Sequence, residues 1–380
     1  MRLFETRRLR LLLCCAVLAL LLQSSGTTTA QRRRGGGLKS QTRAAQYINP
    51  VFDTDFPDPT VVRAADGWFY AYATQTIING QTLNIQVARS RDLINWQHLG
   101  DALPVKPVWA NQTQKFWAPH VSRFGDTYYM YFSADPNTLT GLCLAVATSK
   151  HPGGPFTDSG QPLKCGASFV NIDPMAFDDP STGKRLLYWG SGFQPIRVQE
   201  LAADRTSFMP GTQPLDLIPV IKDERPDNYQ RLVEGGWVTY RGGYYYLFYS
   251  GDNCCGDKAH YAVMVARSRS ATGPYETLAQ NQGKSNSVIL ERNERFIAPG
   301  HNSVVRDDAG QDWIFYHAID SRNRLLKSDI SGDRDVRRIM LMDRLVYRRG
   351  WPTIERGSPS TTRQRAPRLR VQGSKLKVRS

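Results

Sequence analysis

Several common signatures of enzyme chemistry are absent from this 380-residue sequence. It has no glycine-rich phosphate loop, no Gly-x-Ser-x-Gly nucleophile elbow and no His-Glu-x-x-His pair. No long segment has the apolar period of a helix either. Short segments of alternating apolar and polar residues predominate, so we predict an all-β fold.

Long apolar runs are also missing. The longest, residues 11–22, has 12 residues, short of the about 20 that a membrane-spanning helix needs. It follows three arginines and precedes a stretch of small residues that ends at Ala30. We therefore predict that residues 1–30 are a cleaved secretory signal peptide and that the protein is secreted and extracellular. An uncleaved signal anchor is the alternative.

The central part of the chain lacks a net charge. The full +15 at pH 7 comes from residues 1–30 (+3), 31–46 (+5) and 357–380 (+7), which leaves residues 47–356 formally neutral. A neutral core offers no basic groove to a nucleic acid. Because the linker 31–46 and the tail 357–380 are basic and poor in apolar residues, we expect both to be disordered. They are either solvated ends or a means of retention on an acidic polysaccharide such as pectin.

Cysteine is scarce, with six residues in the chain. Residues 14–15 leave with the signal peptide, so four cysteines remain and three pairings are open. We expect Cys143 and Cys165 to be bonded. The adjacent Cys254 and Cys255 are expected either as a vicinal disulfide or as thiols near the site.

A pattern that occurs five times organises the rest of the chain. Each copy has a short strand, a Gly or Asp turn and an aromatic strand of period two, as in a β-hairpin. Strand repeats of this length are typical of propeller blades, so we predict a five-bladed β-propeller over residues 47–356 with a central axial active-site cavity. The positions that align at the start of the first strand are Asp58, Ala118, Asp173, Glu234 and His301.

Three carboxylates and an imidazole should therefore meet at the propeller axis. Glycoside hydrolysis needs two facing carboxyl groups, and a third beside the acid would raise the pKa of that acid. Acidic turn residues that serve packing alone are the alternative, but the residue type changes between repeats, which favours a functional role. Aromatic residues that could stack on a sugar, or belong to the core, are Phe56, Trp117 and Trp237.

Over about residues 48–352 these motifs resemble glycoside hydrolase family 43. The matching segments are Asp55-Phe56-Pro57-Asp58-Pro59, Phe116-Trp117-Ala118-Pro119, Ile172-Asp173-Pro174, Glu234-Gly235-Gly236 and Gly300-His301-Asn302. Members of the family are five-bladed propellers that act with inversion on arabinose- or xylose-containing plant polysaccharides. The resemblance implies that Asp58 is the general base, Glu234 the general acid and Asp173 the residue that tunes and orients the acid. It also implies that His301 helps to hold an ion, often calcium, through a water shell.

The implied substrate is an α-L-arabinofuranosyl linkage in arabinan or in other arabinose-containing cell-wall polysaccharide. The implied enzyme is of the endo-arabinanase or arabinofuranosidase type, and we expect it to be a monomer. Three departures bear on this. Pro57 stands where arabinanases usually have His, Gly236 replaces the commoner Pro after Glu-Gly, and His120 stands where Asp is usual after Trp-Ala-Pro. A β-xylosidase or arabinoxylan hydrolase and a non-catalytic glycan-binding propeller are the alternatives. A fructan-processing propeller is a further rival, but its Asn-Asp-Pro-Asn entry motif is absent.

Overall fold

A computed structural model describes residues 45–138, 140–324 and 336–370. Five antiparallel sheets, each of four or five strands, follow one another along the chain. The strands of each sheet follow one another in chain order, as in a propeller blade, and a separate hairpin interrupts only the first. The predicted all-β, five-bladed propeller is confirmed.

The blades are numbered in chain order. Blade 1 contains Thr60–Arg63, Phe69–Ala73, Gln86–Ser90 and Trp96–Asp101. Blade 2 contains Phe116–Phe124, Thr127–Ala134, Cys143–Ser149, Thr157–Asp158 and Lys164–Cys165. Blade 3 contains Met175–Asp178, Arg185–Trp189, Ile196–Glu200 and Leu215–Ile218. Blade 4 contains Val233–Arg241, Tyr244–Asn253, His260–Ser268, Glu276–Thr277 and Val288–Leu290. Blade 5 contains Phe296–Arg306, Asp312–Asp320, Ile339–Arg348 and Trp351–Ile354.

Short elements lie between, within and after the blades. Turns of 3₁₀ helix occur at Val108–Ala110, Tyr229–Arg231 and Glu355–Gly357. A hairpin is formed by Thr76–Ile78 and Gln81–Leu83. The α-helix Leu278–Gln282 begins at a capping box of Thr277 and Gln280 and ends at Gly283, whose φ is 62°. In the part of the chain that the structure describes, no helix has the length and apolar character needed to cross a membrane.

The second strands of blades 1 and 5 are completely buried. All residues of Phe69–Ala73 and of Asp312–Asp320 are buried. Neighbouring blades cover both faces of these strands, so they are near-continuous apolar runs. Large side chains such as Tyr72 and Tyr316 are fully buried there, and so is Trp189 on the second strand of blade 3.

One backbone conformation recurs at the inner start of every blade. Positive φ values of 57°, 48°, 59°, 60° and 48° occur at Asp58, Ala118, Asp173, Gly235 and His301. The sequence alignment had placed Glu234 in this set, and that was wrong by one residue. The inner strands of blades 2, 4 and 5 contain β-bulges at Trp117/His120, Glu234/Trp237 and Gly300/Ser303. Glu234 is therefore equivalent to Trp117 of blade 2 and Gly300 of blade 5. Each of these residues stands one position before the residue with positive φ, because a bulge adds an unpaired residue to one strand.

Both cysteine pairs are bonded, Cys143 to Cys165 and Cys254 to Cys255. The expected first pair is thus present, and the vicinal pair is a disulfide.

The two ends of the described chain join at blade 5. Gln46–Tyr47 pairs antiparallel with Gln364–Arg365. Further along, the N–H of Phe56 donates to the carbonyl of Arg338 at 2.7 Å. The segment that leads into blade 1 is therefore fixed to the last blade.

The predicted disorder of the tail is wrong for residues 357–370. Their backbone N–H groups find carboxylate acceptors, in the pairs Ser360 to Asp343, Arg368 to Asp307 and Arg370 to Asp308. The composition is poor in apolar residues, but hydrogen bonds to fixed carboxylates help to order the backbone. Leu369 also packs against the core of blades 1 and 5. Residues 371–380, the predicted signal peptide and residues 31–44 of the predicted linker lie outside the described residues.

Removing residues 357–380 is expected to lower the free energy of unfolding by about 2 kcal/mol or more, because several backbone hydrogen bonds worth about 1 kcal/mol each are lost. Removing only residues 371–380 is the matched control and should leave stability nearly unchanged. Urea unfolding of both truncated proteins checks this. Equal stability of the two would contradict a stabilising role for residues 357–370.

Candidate active site

Residues from all five blades line one cavity of ≈ 600 Å³. It contains four of the predicted site residues, Asp58, Asp173, Glu234 and His301, and the predicted aromatic residue Trp117. The structure thus brings together side chains that are up to 243 residues apart in the sequence (301 − 58). Arg338, which the sequence analysis did not find, lies among them.

A repeated hydrogen bond links neighbouring blades around this cavity. In four of the five junctions, the N–H of the positive-φ residue donates to a side chain on the second strand of the preceding blade, or just beyond its end. The pairs are Ala118 to Thr74 Oγ1, Asp173 to Ser133 Oγ, His301 to Ser250 Oγ and Asp58 to His317 Nδ1, at 2.8, 3.1, 2.8 and 3.1 Å. These buried N–H groups are thereby satisfied, and the side chains of their residues are held at the axis.

The fifth junction departs from this pattern. There the acceptor position is Gly190, which pairs with Ile172 as Thr74 pairs with Pro57. Glycine has no acceptor side chain, and the N–H of Gly235 instead donates to Asp173 Oδ2 at 2.9 Å. The next residue, Ser191, donates to Glu234 Oε2 at 2.7 Å. The junction that breaks the repeat is therefore the one that positions two of the three carboxyl groups.

Asp58 is held in its charged form. Arg338 Nη1 donates to Asp58 Oδ1 at 3.0 Å, and Thr74 Oγ1 donates to Asp58 Oδ2 at 2.6 Å. Burial raises the pKa of Asp58, but the guanidinium of Arg338 and the imidazoles of His301 and His317 more than offset it, so this pKa lies well below its ordinary value. A buried, ionised carboxylate suits a general base.

Glu234 has the opposite electrostatic environment. Its Oε1 accepts a hydrogen bond from Tyr261 Oη at 2.8 Å, and its Oε2 accepts the bond from Ser191. Burial raises the pKa of Glu234 most; the two hydroxyl donors lower it and the charge of Asp58 raises it, with a net rise above the ordinary value. Glu234 therefore retains its proton to higher pH than Asp58, as a general acid requires.

Asp173 interacts with both of the other carboxyl groups. His301 Nδ1 is 3.5 Å from Asp58 Oδ1 and 3.6 Å from Asp173 Oδ2. Burial raises the pKa of Asp173 well above its ordinary value, and the charges of Glu234 and Asp58 add to the rise. Because Asp173 and Glu234 each disfavour ionisation of the other, they titrate as a pair.

The geometry does not fit direct ligation of calcium. Among the residues that the structure describes, no group of three or more His, Cys, Asp or Glu side chains is arranged to hold a metal ion. Calcium prefers six to eight oxygen ligands, whereas the Nδ1 of His301 faces two carboxylates. The water-mediated calcium contact of His301 stays a prediction, and no chemical step below uses it.

Two of the three predicted aromatic contacts are wrong. Phe56 is fully buried and packs against Phe52, with ring centroids 5.2 Å apart. Trp237 is 9% exposed and packs against His120 at 5.3 Å. Phe56 precedes the inner strand of blade 1 and Trp237 lies within that of blade 4, but both side chains belong to the hydrophobic core.

Other apolar groups line the cavity instead. Phe169 and Phe193 form an edge-to-face pair 5.9 Å apart, and Phe193 is 56% exposed. The Cys254–Cys255 disulfide also lines it. These residues lie on loops beyond the repeated hairpins, so the repeat pattern contained no signal for them.

Comparisons with known proteins agree with this architecture. The family model described as "Glycosyl hydrolases family 43" matches residues 47–352. The exo-α-(1→5)-L-arabinofuranosidase ArbA of Cellvibrio japonicus is 26% identical over 325 residues, covering 79% of this chain and 86% of that protein. The extracellular endo-α-(1→5)-L-arabinanase 1 of Bacillus subtilis is 28% identical, covering 78% and 86%. The crystal structure of a thermostable family-43 glycoside hydrolase superimposes with a TM-score of 0.64 at 26% identity, covering 85% of this chain and all of that one.

Proposed function

Because the chain belongs to glycosyl hydrolases family 43, we propose that it cleaves α-L-arabinofuranosyl linkages in arabinan or related plant cell-wall polysaccharide, with inversion. The observation that carries the proposal is the opposite pKa shift of Asp58 and Glu234 in one cavity. Such a pair supplies an ionised base and a protonated acid at the same pH.

In the proposed mechanism Asp58 takes a proton from water, which attacks the anomeric carbon from the face opposite the leaving group. Glu234 gives its proton to the glycosidic oxygen as that bond breaks. Arg338 and Thr74 fix the carboxylate of Asp58, while Ser191 and Tyr261 orient that of Glu234. Asp173 acts through Glu234 as a positioning residue.

The proposal of an arabinan substrate rests on the relatives, whose names describe an exo-arabinofuranosidase and an endo-arabinanase. A β-xylosidase or arabinoxylan hydrolase remains the second candidate because Pro57 occupies the place of the usual arabinanase histidine. Product analysis on debranched arabinan, arabinoxylan and aryl α-L-arabinofuranosides and β-D-xylosides separates the two. Release of arabinose or arabino-oligosaccharides alone supports the proposal, xylose release favours the second candidate, and no release from any substrate favours a glycan-binding protein.

We further propose that the protein is secreted as a monomer after cleavage within its first 30 residues. Relatives described as extracellular support this proposal. Amino-terminal sequencing of the protein from culture medium and light scattering test it. Recovery only in the membrane fraction with an intact amino terminus would favour a signal anchor.

Replacing Asp173 by Asn is expected to shift the alkaline limb of the kcat/KM profile to lower pH. The reason is that the pair loses its two protons in two steps, and the charge left by the first ionisation raises the pKa of the second. With Asn at position 173, Glu234 ionises without that charge, so the pKa of the acid falls. Asp216→Asn, at an exposed carboxylate of blade 3, is the matched control and should leave the limb in place. An unshifted limb in Asp173→Asn would exclude Asp173 as the charge that raises the pKa of Glu234.

A further inference from the structure

A second cleft lies at blade 5, and residues 355–365 form much of its lining. Its volume is ≈ 980 Å³, and it has no lining residue in common with the catalytic cavity. Pockets of this size accommodate ligands of several hundred daltons. We refer to it as the C-terminal cleft.

Six arginines line the C-terminal cleft: Arg295, Arg322, Arg344, Arg356, Arg363 and Arg365. Arg295 and Arg322 share the carboxylate of Asp320, and Arg344 donates to Gln311. Arg356, Arg363 and Arg365 are exposed and form no ion pair with any carboxylate in the described ranges. These three guanidinium groups are available to a ligand.

Three carboxyl groups also line the C-terminal cleft, but they do not cancel this charge. Asp343 is 4% exposed and already accepts hydrogen bonds from Tyr316 Oη and the N–H of Ser360. Glu294 and Glu355 are exposed at the surface. The lining therefore has six positive and three negative groups, although the blades as a whole are formally neutral.

We propose that the C-terminal cleft binds a carboxylate-bearing polysaccharide, with uronate carboxylates paired to Arg356, Arg363 and Arg365. Guanidinium groups make charge-assisted and often bidentate hydrogen bonds to carboxylates. The side-chain hydroxyls of Ser358, Thr361 and Thr362, which also line the C-terminal cleft, suit the hydroxyl groups of a sugar chain. The aromatic residue in its lining, Trp313, is 3% exposed, so it offers no stacking surface of the kind that single-stranded nucleic acids use.

The chemistry also predicts a sensitivity to esterification. A methyl ester removes the negative charge of a uronate and leaves its ring unchanged, so binding should require free carboxylates. It should weaken with salt, because exposed charge pairs are screened. The C-terminal cleft would thereby hold the enzyme on an acidic polymer while the separate cavity acts on a neutral one.

The test is binding of the full chain to polygalacturonate, measured by calorimetry at low salt. Replacing Arg356, Arg363 and Arg365 together by Gln is expected to raise Kd at least about tenfold. The matched control replaces Lys375, Lys377 and Arg379 by Gln, which removes the same charge from residues 371–380 and should change Kd by less than about threefold. Turnover of a soluble arabino-oligosaccharide should stay unchanged in both variants.

Three outcomes would overturn the proposal. The first is an equal loss of affinity in the two variants, which would indicate that bulk charge drives binding. The second is equal affinity for the fully methyl-esterified polymer, and the third is equal affinity for single-stranded RNA. Polygalacturonate contains no arabinose, so this result is independent of the proposed hydrolysis.

Discussion

Asp58→Ala is expected to lower kcat/KM by about 10³-fold on both natural arabino-oligosaccharides and activated aryl α-L-arabinofuranosides. Water must be activated whatever the leaving group is, so a better leaving group cannot compensate for a missing base. The position of Asp58, fixed by Arg338 and Thr74, makes this the side chain that would meet the attacking water.

Asp126→Ala is the matched control, since Asp126 is an exposed carboxylate on blade 2, and it should retain full activity. Thermal unfolding must show that Asp58→Ala is folded, because this variant loses an ion pair with Arg338. Substantial turnover of either substrate class by the folded variant would show that another group is the base.

Glu234→Ala is expected to lose about 10²- to 10⁴-fold in kcat/KM on natural oligosaccharides and much less on activated aryl glycosides. An activated phenolate leaves without a proton, whereas a sugar alkoxide needs one. The alkaline limb that reports the ionisation of Glu234 should also disappear from the pH profile of the variant.

Tyr261 supports Glu234 without being the acid, so a variant at Tyr261 is the comparison for the substrate dependence of Glu234→Ala. Tyr261→Phe deletes one hydrogen bond to Glu234 and keeps the acid, so its loss should fall on the same natural substrates and be smaller than that of Glu234→Ala. Equal losses on both classes in Glu234→Ala would contradict its role as the acid.

The fold could be predicted because its signal is repeated. Five hairpins with Gly or Asp turns and aromatic strands define five blades without any long-range information. The same repetition located Asp58, Asp173 and His301, since equivalent positions in a propeller converge on its axis.

The exact position of each residue on the inner strands could not be predicted from the repeat pattern. Glu234 aligned with the turn position, but a β-bulge shifts it one residue from that position, where Gly235 stands. Nothing in the local pattern distinguishes a strand with an extra unpaired residue from a regular one. The error did not move Glu234 out of the cavity, because the bulge residue also faces the axis.

Residues that depend on contacts distant in sequence were missed or misplaced. Arg338 reaches Asp58 across 280 residues, and no motif marks it. Phe56 and Trp237 are aromatic residues beside catalytic motifs, yet packing between blades buries both. The tail 357–370 was expected to be disordered from its composition, but its order depends on Asp307, Asp308 and Asp343, whose positions only the fold determines.

The stereochemistry of hydrolysis tests the central assignment most directly. If Asp58 acts through water and Glu234 protonates the leaving group, the two carboxyl groups should be about 6.5–9.5 Å apart and the first-formed sugar should have the inverted configuration. Proton NMR during the first minutes of hydrolysis of an aryl α-L-arabinofuranoside resolves the two anomers before mutarotation mixes them. Initial appearance of the β-anomer is the predicted result, and initial appearance of the α-anomer would contradict the roles given to both carboxyl groups.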